Sequence, residues 1–384
     1  MGAREIRPHF FCVDEVSQLR VGGMIFAILL SPSVLFCACG SGGASAVATV
    51  AAKPTIATAA AQNSAVVVSL ASSTSGATIY YTLDGSTPTP SSQVYQAPFL
   101  VASNLTVNAI AAVSGDTTST VASQSFAPNI ASGTLVWSDE FANSTGSPAQ
   151  PNPLVWTYDT GNGGFGNQEL ENYCAWGSTA TPCSTAQPNA YVGTDGSLHI
   201  VAEQSSAGVY TSARMKSEGL FSFQYGRIEA SIKLPEGQGL WPAFWLLGNN
   251  IATINWPACG ELDVMEHIDG SNPQNLGYDW VQGSVHGTSL KGGTQYHPSG
   301  FSAAGFHTYG MIWTKGQIQY YVDDPANIYA TFNASTMAGT WPFDAGPQFV
   351  LLNLAVGGTW PGSPDTTTVF PSEMQVDYVR VYSN

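Results

Sequence analysis

Residues 256–267 read Trp256-Pro-Ala-Cys-Gly-Glu261-Leu-Asp263-Val-Met-Glu266-His267. Three carboxylates fall within positions 261–266, and the residues between them are apolar. Side chains of a strand alternate between faces, so Glu261 and Asp263 share one face. Strict alternation puts Glu266 on the other. One extra residue, a β-bulge at Val264–Met265, returns it to the same side. Leu262, Val264 and Met265 then bury the opposite face, which argues against a merely solvated acidic strand. Three like charges on one face oppose folding, and crowding keeps one of them protonated near neutral pH. Cleavage of a bond between sugars uses such a pair: one carboxylate attacks and another donates a proton.

Composition agrees with an extracellular all-β protein. Only 10% of the 384 residues are charged, and Gly is abundant at 40. A net charge of −15 excludes the basic face that a nucleic-acid partner requires. A neutral polysaccharide needs stacking and hydrogen bonds instead, and 10 Trp and 16 Tyr supply surfaces for both.

The N-terminus reads as an export signal over residues 1–39, with an apolar core from Met24 to Phe36 interrupted by Ser31-Pro32-Ser33. Asp14 and Glu15 are unusual in a signal, so translation starting at Met24 is one reading. Phe36-Cys-Ala-Cys39 followed by Gly and Ser resembles a bacterial lipoprotein cleavage site, with Phe36 in place of the usual Leu. Two outcomes stay open: a cell-envelope lipoprotein acylated on Cys39, and an ordinary secreted protein. Cys174 and Cys183 sit close together among loop residues of an exported chain, and a disulfide is expected. Cys259 is then an unpaired, buried neighbour of the acidic strand. No cysteine spacing suggests zinc.

Residues 40–53 form a small-residue linker. Residues 54–127 hold short alternating runs such as Val66-Val-Val-Ser-Leu and Leu105-Thr-Val-Asn-Ala-Ile, with a turn signal at Asp84-Gly85. This is the pattern of a small immunoglobulin-like β-sandwich. Ile79-Tyr-Tyr-Thr-Leu-Asp-Gly-Ser-Thr-Pro-Thr-Pro resembles the module appended to chitobiases and many secreted bacterial glycosidases. A passive spacer and a sugar-binding module are both compatible with it. Residues 128–134 connect it to residues 135–384, which alternate between strands and Gly/Pro/Asn loops, the pattern of a two-sheet, concanavalin-like β-jelly-roll sandwich.

Several motifs in 135–384 occur together. They are Val136-Trp-Ser-Asp-Glu-Phe, Asn167-Gln-Glu-Leu-Glu-Asn-Tyr, Trp241-Pro-Ala-Phe-Trp-Leu-Leu, the acidic strand, Asn353-Leu-Ala-Val-Gly-Gly and Val376-Asp-Tyr-Val-Arg-Val-Tyr. In this order they resemble glycoside hydrolase family 16, and within it the laminarinase branch. The resemblance implies Glu261 as nucleophile, Glu266 as acid/base, and Asp263 as the residue that orients Glu261. It implies retention of configuration, with the two Glu carboxyls about 5–5.5 Å apart. It implies an endo-β-1,3-glucanase, which could also cut mixed β-1,3/1,4-glucan; a monomer is expected. Another family 16 specificity (galactan or xyloglucan hydrolysis, or transglycosylation) and a non-catalytic glucan-binding protein are the alternatives.

By the same resemblance Asn167, Trp241, Trp245 and Trp256 line the cleft, with the choice between Trp241 and Trp245 as the main stacking platform left open. Gln168 departs from relatives that carry Asn there. His286 stands close to the acidic strand, as a carboxylate or sugar partner or as a packed histidine. His267, one residue past Glu266, is expected to turn away and pack. No cofactor is needed for catalysis. A structural Ca²⁺ is implied at Asp377 with backbone oxygens near Glu140 and Gly196. A simple hydrogen bond for Asp377 is the alternative.

Overall fold

The computed structural model describes residues 49–269 and 279–384. The export segment, Cys39 and residues 40–48 of the linker lie outside the described residues. The regular structure of the described part is strand, apart from one short α-helix, Ile251–Ile254, and a single 3-10 turn, Gly164–Gly166.

Between Thr55 and Phe126, seven strands form a three-stranded and a four-stranded antiparallel sheet. Alternation drives this packing. In Thr78–Thr82, Ile79 and Tyr81 are buried while their neighbours are partly exposed. Their side chains meet Val68, Phe99, Val107 and Ala109 in a core of their own. Gly85 has φ +78°, the left-handed conformation that its turn demands. The Asp84 carboxylate accepts the Ser86 N–H at 3.0 Å and closes the same turn.

From Leu135 to Tyr382 the chain forms a seven-stranded and a ten-stranded sheet. One apolar core lies between them. It joins Leu246, Leu262, Val285 and Leu352 of the smaller sheet to Ile228, Met311, Trp313 and Val379 of the larger. Each such buried side chain contributes about 1.5–3 kcal/mol through removal from water. Strands along the middle of the smaller sheet are apolar on both faces because its outer face is also covered. Ala243, Trp245, Leu247, Cys259, Phe349 and Leu351 form a second apolar layer there, with Ile251 packed on it. The sandwich thus carries a cleft on the outer face of the seven-stranded sheet, and the acidic strand crosses its floor.

Candidate active site

The strand Glu261–Glu266 lies between Leu240–Gly248 and Val281–Gly287, antiparallel to both. Phe244 pairs with Met265 and the next residue, Trp245, pairs with Asp263, so Val264 is the extra residue. The same slip occurs on the other side, between Asp263 and Glu266. Val264 and Met265 both enter the core, and Glu266 returns to the face of Glu261 and Asp263. The bulge therefore sits where the acidic spacing requires it.

All three carboxylates line a cleft of about 330 Å³. Ser284, directly opposite Asp263 in register, lies between two of them. Its hydroxyl is 2.7 Å from Asp263 Oδ2 and 3.1 Å from Glu266 Oε2. A hydroxyl has one proton, so it can donate to Asp263 and accept from a protonated Glu266. Trp241 Nε1 donates to Glu266 Oε1 at 3.1 Å, and Trp256 Nε1 donates to Glu261 Oε2 at 3.0 Å. His286 Nε2 lies 3.2 Å from Asp263 Oδ2 and 3.7 Å from Glu261 Oε1. The histidine thus faces the carboxylates and is only partly exposed.

Burial raises the pKa of every acid in the group. Glu261 is pushed up by burial and then by the charge of Asp263. Burial also raises Asp263, against the hydrogen bond from Ser284. Glu266 is raised by burial and then by Asp263. The group consequently retains a proton near neutral pH. Its asymmetry lies in the partners: His286 approaches Asp263 and Glu261, while the Ser284 hydroxyl can accept a hydrogen bond from a protonated Glu266. This favours an ionised Glu261 beside a protonated Glu266.

Alternation along Leu240–Gly248 sends Trp241 and Trp245 to the same wall, and both line the cleft. They differ in what remains free. Trp245 is 8% exposed, donates to Asn353 Oδ1 at 2.7 Å and carries the Arg214 guanidinium 4.6 Å over its ring. Trp241 is partly exposed and is braced edge-on by Trp360. Trp256 is 58% exposed beside Glu261, an open indole at the cleft rim. Asn167 lines the cleft and donates to Glu169 at 3.0 Å. Its neighbour Gln168 has φ +60°, a left-handed position uncommon for residues other than Gly, Asn and Asp.

The remaining expected residues fall elsewhere. His267 is buried, its Nδ1 lies 2.8 Å from the Trp280 carbonyl, and burial lowers its pKa to about 4. It packs as a neutral ring. Cys174 and Cys183 form a disulfide, and Cys259 is free and buried. Asp377 is the unpaired residue of a second bulge, since Ser231 pairs with Tyr378 and Ile232 with Val376. The flanking pairings Val379–Asp139 and Leu198–Val376 run toward Glu140 and Gly196 on either side of it. The Glu140 carboxylate is held by Arg380 at 2.7 and 2.9 Å, which leaves its backbone carbonyl as the donor. A cation at Asp377 would thus be held by one carboxylate, carbonyls and water, a donor set suited to calcium.

Sequence reasoning missed the supports of the cleft. Tyr173 donates to Glu169 Oε2 at 2.8 Å, and Asn353 Nδ2 donates to the Tyr173 hydroxyl at 3.3 Å. This chain links Asn167 through Glu169, Tyr173 and Asn353 to Trp245. Glu169, Glu171 and Tyr173 share parity within one quoted motif, a signal that they face one side. Ser284 likewise shares parity with His286. Arg214 carried no signal, because its partners Asp159, Phe165 and Trp245 are distant in sequence.

The model for "Glycosyl hydrolases family 16" matches residues 178–380, and that for "Chitobiase/beta-hexosaminidase C-terminal domain" matches 58–123. A beta-glucanase of Rhodothermus marinus is 39% identical over 267 residues, covering 65% of this chain and 84% of that protein. A keratan-sulfate endo-1,4-beta-galactosidase of Sphingobacterium multivorum is 35% identical over 260 residues, covering 65% of this chain and 54% of that one. The laminarinase catalytic domain from Thermotoga maritima superposes with a TM-score of 0.56 at 38% identity, covering 66% of this chain and 99% of that domain.

Proposed function

The chain belongs to family 16 of the glycosyl hydrolases, and from that premise we propose that it cleaves internal bonds of β-1,3-glucan, including mixed β-1,3/1,4-glucan, with retention of configuration. The bulge that gathers Glu261, Asp263 and Glu266 on one face carries this reading. The similarity to a beta-glucanase and to a laminarinase supports the substrate class.

Glu261 attacks the anomeric carbon while Glu266 protonates the departing sugar oxygen. A glycosyl–Glu261 ester results. Glu266, now a carboxylate, takes a proton from water, which attacks the anomeric carbon and releases Glu261. Asp263 holds its charge between the two and, with His286, limits which of them carries the proton. The indole N–H groups of Trp256 and Trp241 keep the two carboxyls aimed into the cleft. The open face of Trp256 offers a stacking surface for a glucosyl ring.

Glu266→Gln provides the test. Loss of about 10²–10⁴-fold is expected on laminarin, whose leaving group needs the proton. Formation of the glycosyl-enzyme from an aryl glycoside with an activated leaving group should be largely spared. Equal loss on both substrates would remove Glu266 from the acid role.

Export, with Cys39 as the lipid attachment point, is part of the same proposal, and the mass of the mature N-terminus checks it. So is a weak structural Ca²⁺ at Asp377. Chelation should lower Tm by a few degrees in the wild type and leave Asp377→Asn unaffected; an equal response in both would dismiss the site.

A further inference from the structure

Beyond the cleft, the same face of the seven-stranded sheet carries a groove of about 430 Å³ with walls from both parts of the chain. Gln96 and Ala97 come from the N-terminal sandwich, and Thr157, Lys216, Glu218 and Asn249 from the hydrolase domain. The groove lies beside the cleft. Arg214 lines the cleft, and Lys216, its neighbour on the same face of the strand, lines the groove. On the adjoining strand Asp159 lies opposite Arg214, and Thr157 opposite Lys216. The Asp159 carboxylate binds both cations, at 2.9 Å from Arg214 and 2.7 Å from Lys216. Two residues of strand span roughly 6.6 Å, so Lys216 stands about that far beyond Arg214 on the same face. On the far wall, Ile251 faces the cleft while Ala252 faces the groove.

The sandwich is fixed in place rather than tethered. Leu100 N–H donates to the Ser222 carbonyl at 2.8 Å, and the Ser222 hydroxyl donates to the Pro98 carbonyl at 2.7 Å. Asn249 Nδ2 donates to that same hydroxyl at 2.7 Å, which ties the groove wall to the sandwich. Ala65 and Leu100 belong to the apolar core of the hydrolase domain, and Gln62 bonds Val136 and Ser138. A free spacer shares neither core nor backbone hydrogen bonds with its neighbour. The lining offers amide, hydroxyl, ammonium and carboxylate groups, the partners that sugar hydroxyls take.

We propose that the N-terminal sandwich completes the substrate-binding surface, and that the groove at Gln96 holds glucosyl units of the same β-glucan chain beyond those in the cleft. This rests on the function proposed above. The role is that of an added subsite, which raises kcat/KM for chains long enough to reach it and leaves short ones to the cleft alone.

The test uses the full chain with Gln96→Leu, Thr157→Val and the pair, each of which removes a hydrogen-bonding group at similar volume. kcat/KM is measured on β-1,3-linked oligosaccharides of increasing length. The ratio of long-chain to short-chain kcat/KM should fall about two- to threefold in each single variant, and about fivefold or more in the pair. An active wild type whose ratio is unchanged in all three variants overturns the added subsite alone. Parallel loss at every length overturns it as well. A wild type inert on the whole series overturns the proposed substrate, and the subsite with it.

Discussion

Two buried acidic sites lie on the two sheets of the hydrolase domain, and they are built differently. On the ten-stranded sheet, Glu229 is neutralised by the Arg227 guanidinium and receives hydrogen bonds from the Tyr321 and Tyr382 hydroxyls. Arg227 in turn lies over the Tyr382 ring. On the seven-stranded sheet, Glu261, Asp263 and Glu266 have no Lys or Arg partner among the described residues, only His286 and neutral donors. A buried carboxylate with a matched cation is held in one ionisation state. A buried cluster without one has its pKa values raised and keeps a transferable proton. The first arrangement serves the fold; the second is what a general acid requires.

Removing the cation from the first site should have the largest effect on stability. Arg227→Met leaves Glu229 buried without its countercharge, which costs about 3 kcal/mol or more. Urea unfolding should show the loss, while kcat/KM measured well below Tm stays near wild type. A loss below about 1 kcal/mol would mean that the two tyrosines alone satisfy Glu229, and the contrast would weaken.

Neutralising the second site should do the opposite at high pH. Glu266, the member that keeps the proton, is raised from 4.5 to about 8 by burial and by Asp263. A raised acid contributes stability below its unfolded pKa and loses it as pH rises through the folded value. The wild type therefore weakens between about pH 4.5 and 8, and Glu266→Gln, which cannot ionise, does not. The Tm of the variant minus that of the wild type should grow from about pH 4.5 to about pH 8 and level off above it. A constant difference would contradict the raised pKa.

A smaller effect is expected behind the cleft. Glu171 is fully buried and raised to about 8 by burial and by the charge of Glu169. Its Oε2 accepts the Val356 N–H at 2.7 Å, whereas Oε1 has no donor among the described residues. A neutral side chain of the same shape should fit as well. Glu171→Gln is expected to lie within about 1 kcal/mol of wild type at pH 6 and to keep its stability further into alkali. A large loss at pH 6 would show that the ionised carboxylate is needed.

The acidic strand was readable because its chemistry conflicts with its surroundings. Three acids amid Leu262, Val264 and Met265 leave few arrangements, and the bulge follows from parity alone. The two-sandwich architecture followed from alternation in short runs; equal parity put Trp241 and Trp245 on one face, and the family resemblance put that face in the cleft. The bulge at Asp377 was not legible, because Val376-Asp-Tyr-Val reads equally well as a regular strand. Contacts between distant segments were also hidden. Arg214 against Asp159, Ser222 against Pro98, and Gln96 beside Lys216 depend on which strands the fold brings side by side, and no local pattern encodes that.

The central claim is that the unpaired carboxylate cluster performs a retaining double displacement on β-1,3-glucan. Time-resolved proton NMR of laminarin digestion, with wild type and Glu261→Gln in parallel, tests it most directly. New reducing ends should appear first as the β-anomer with the wild type and be absent with the variant. Early α-anomer, or cleavage that survives in Glu261→Gln, would contradict the account.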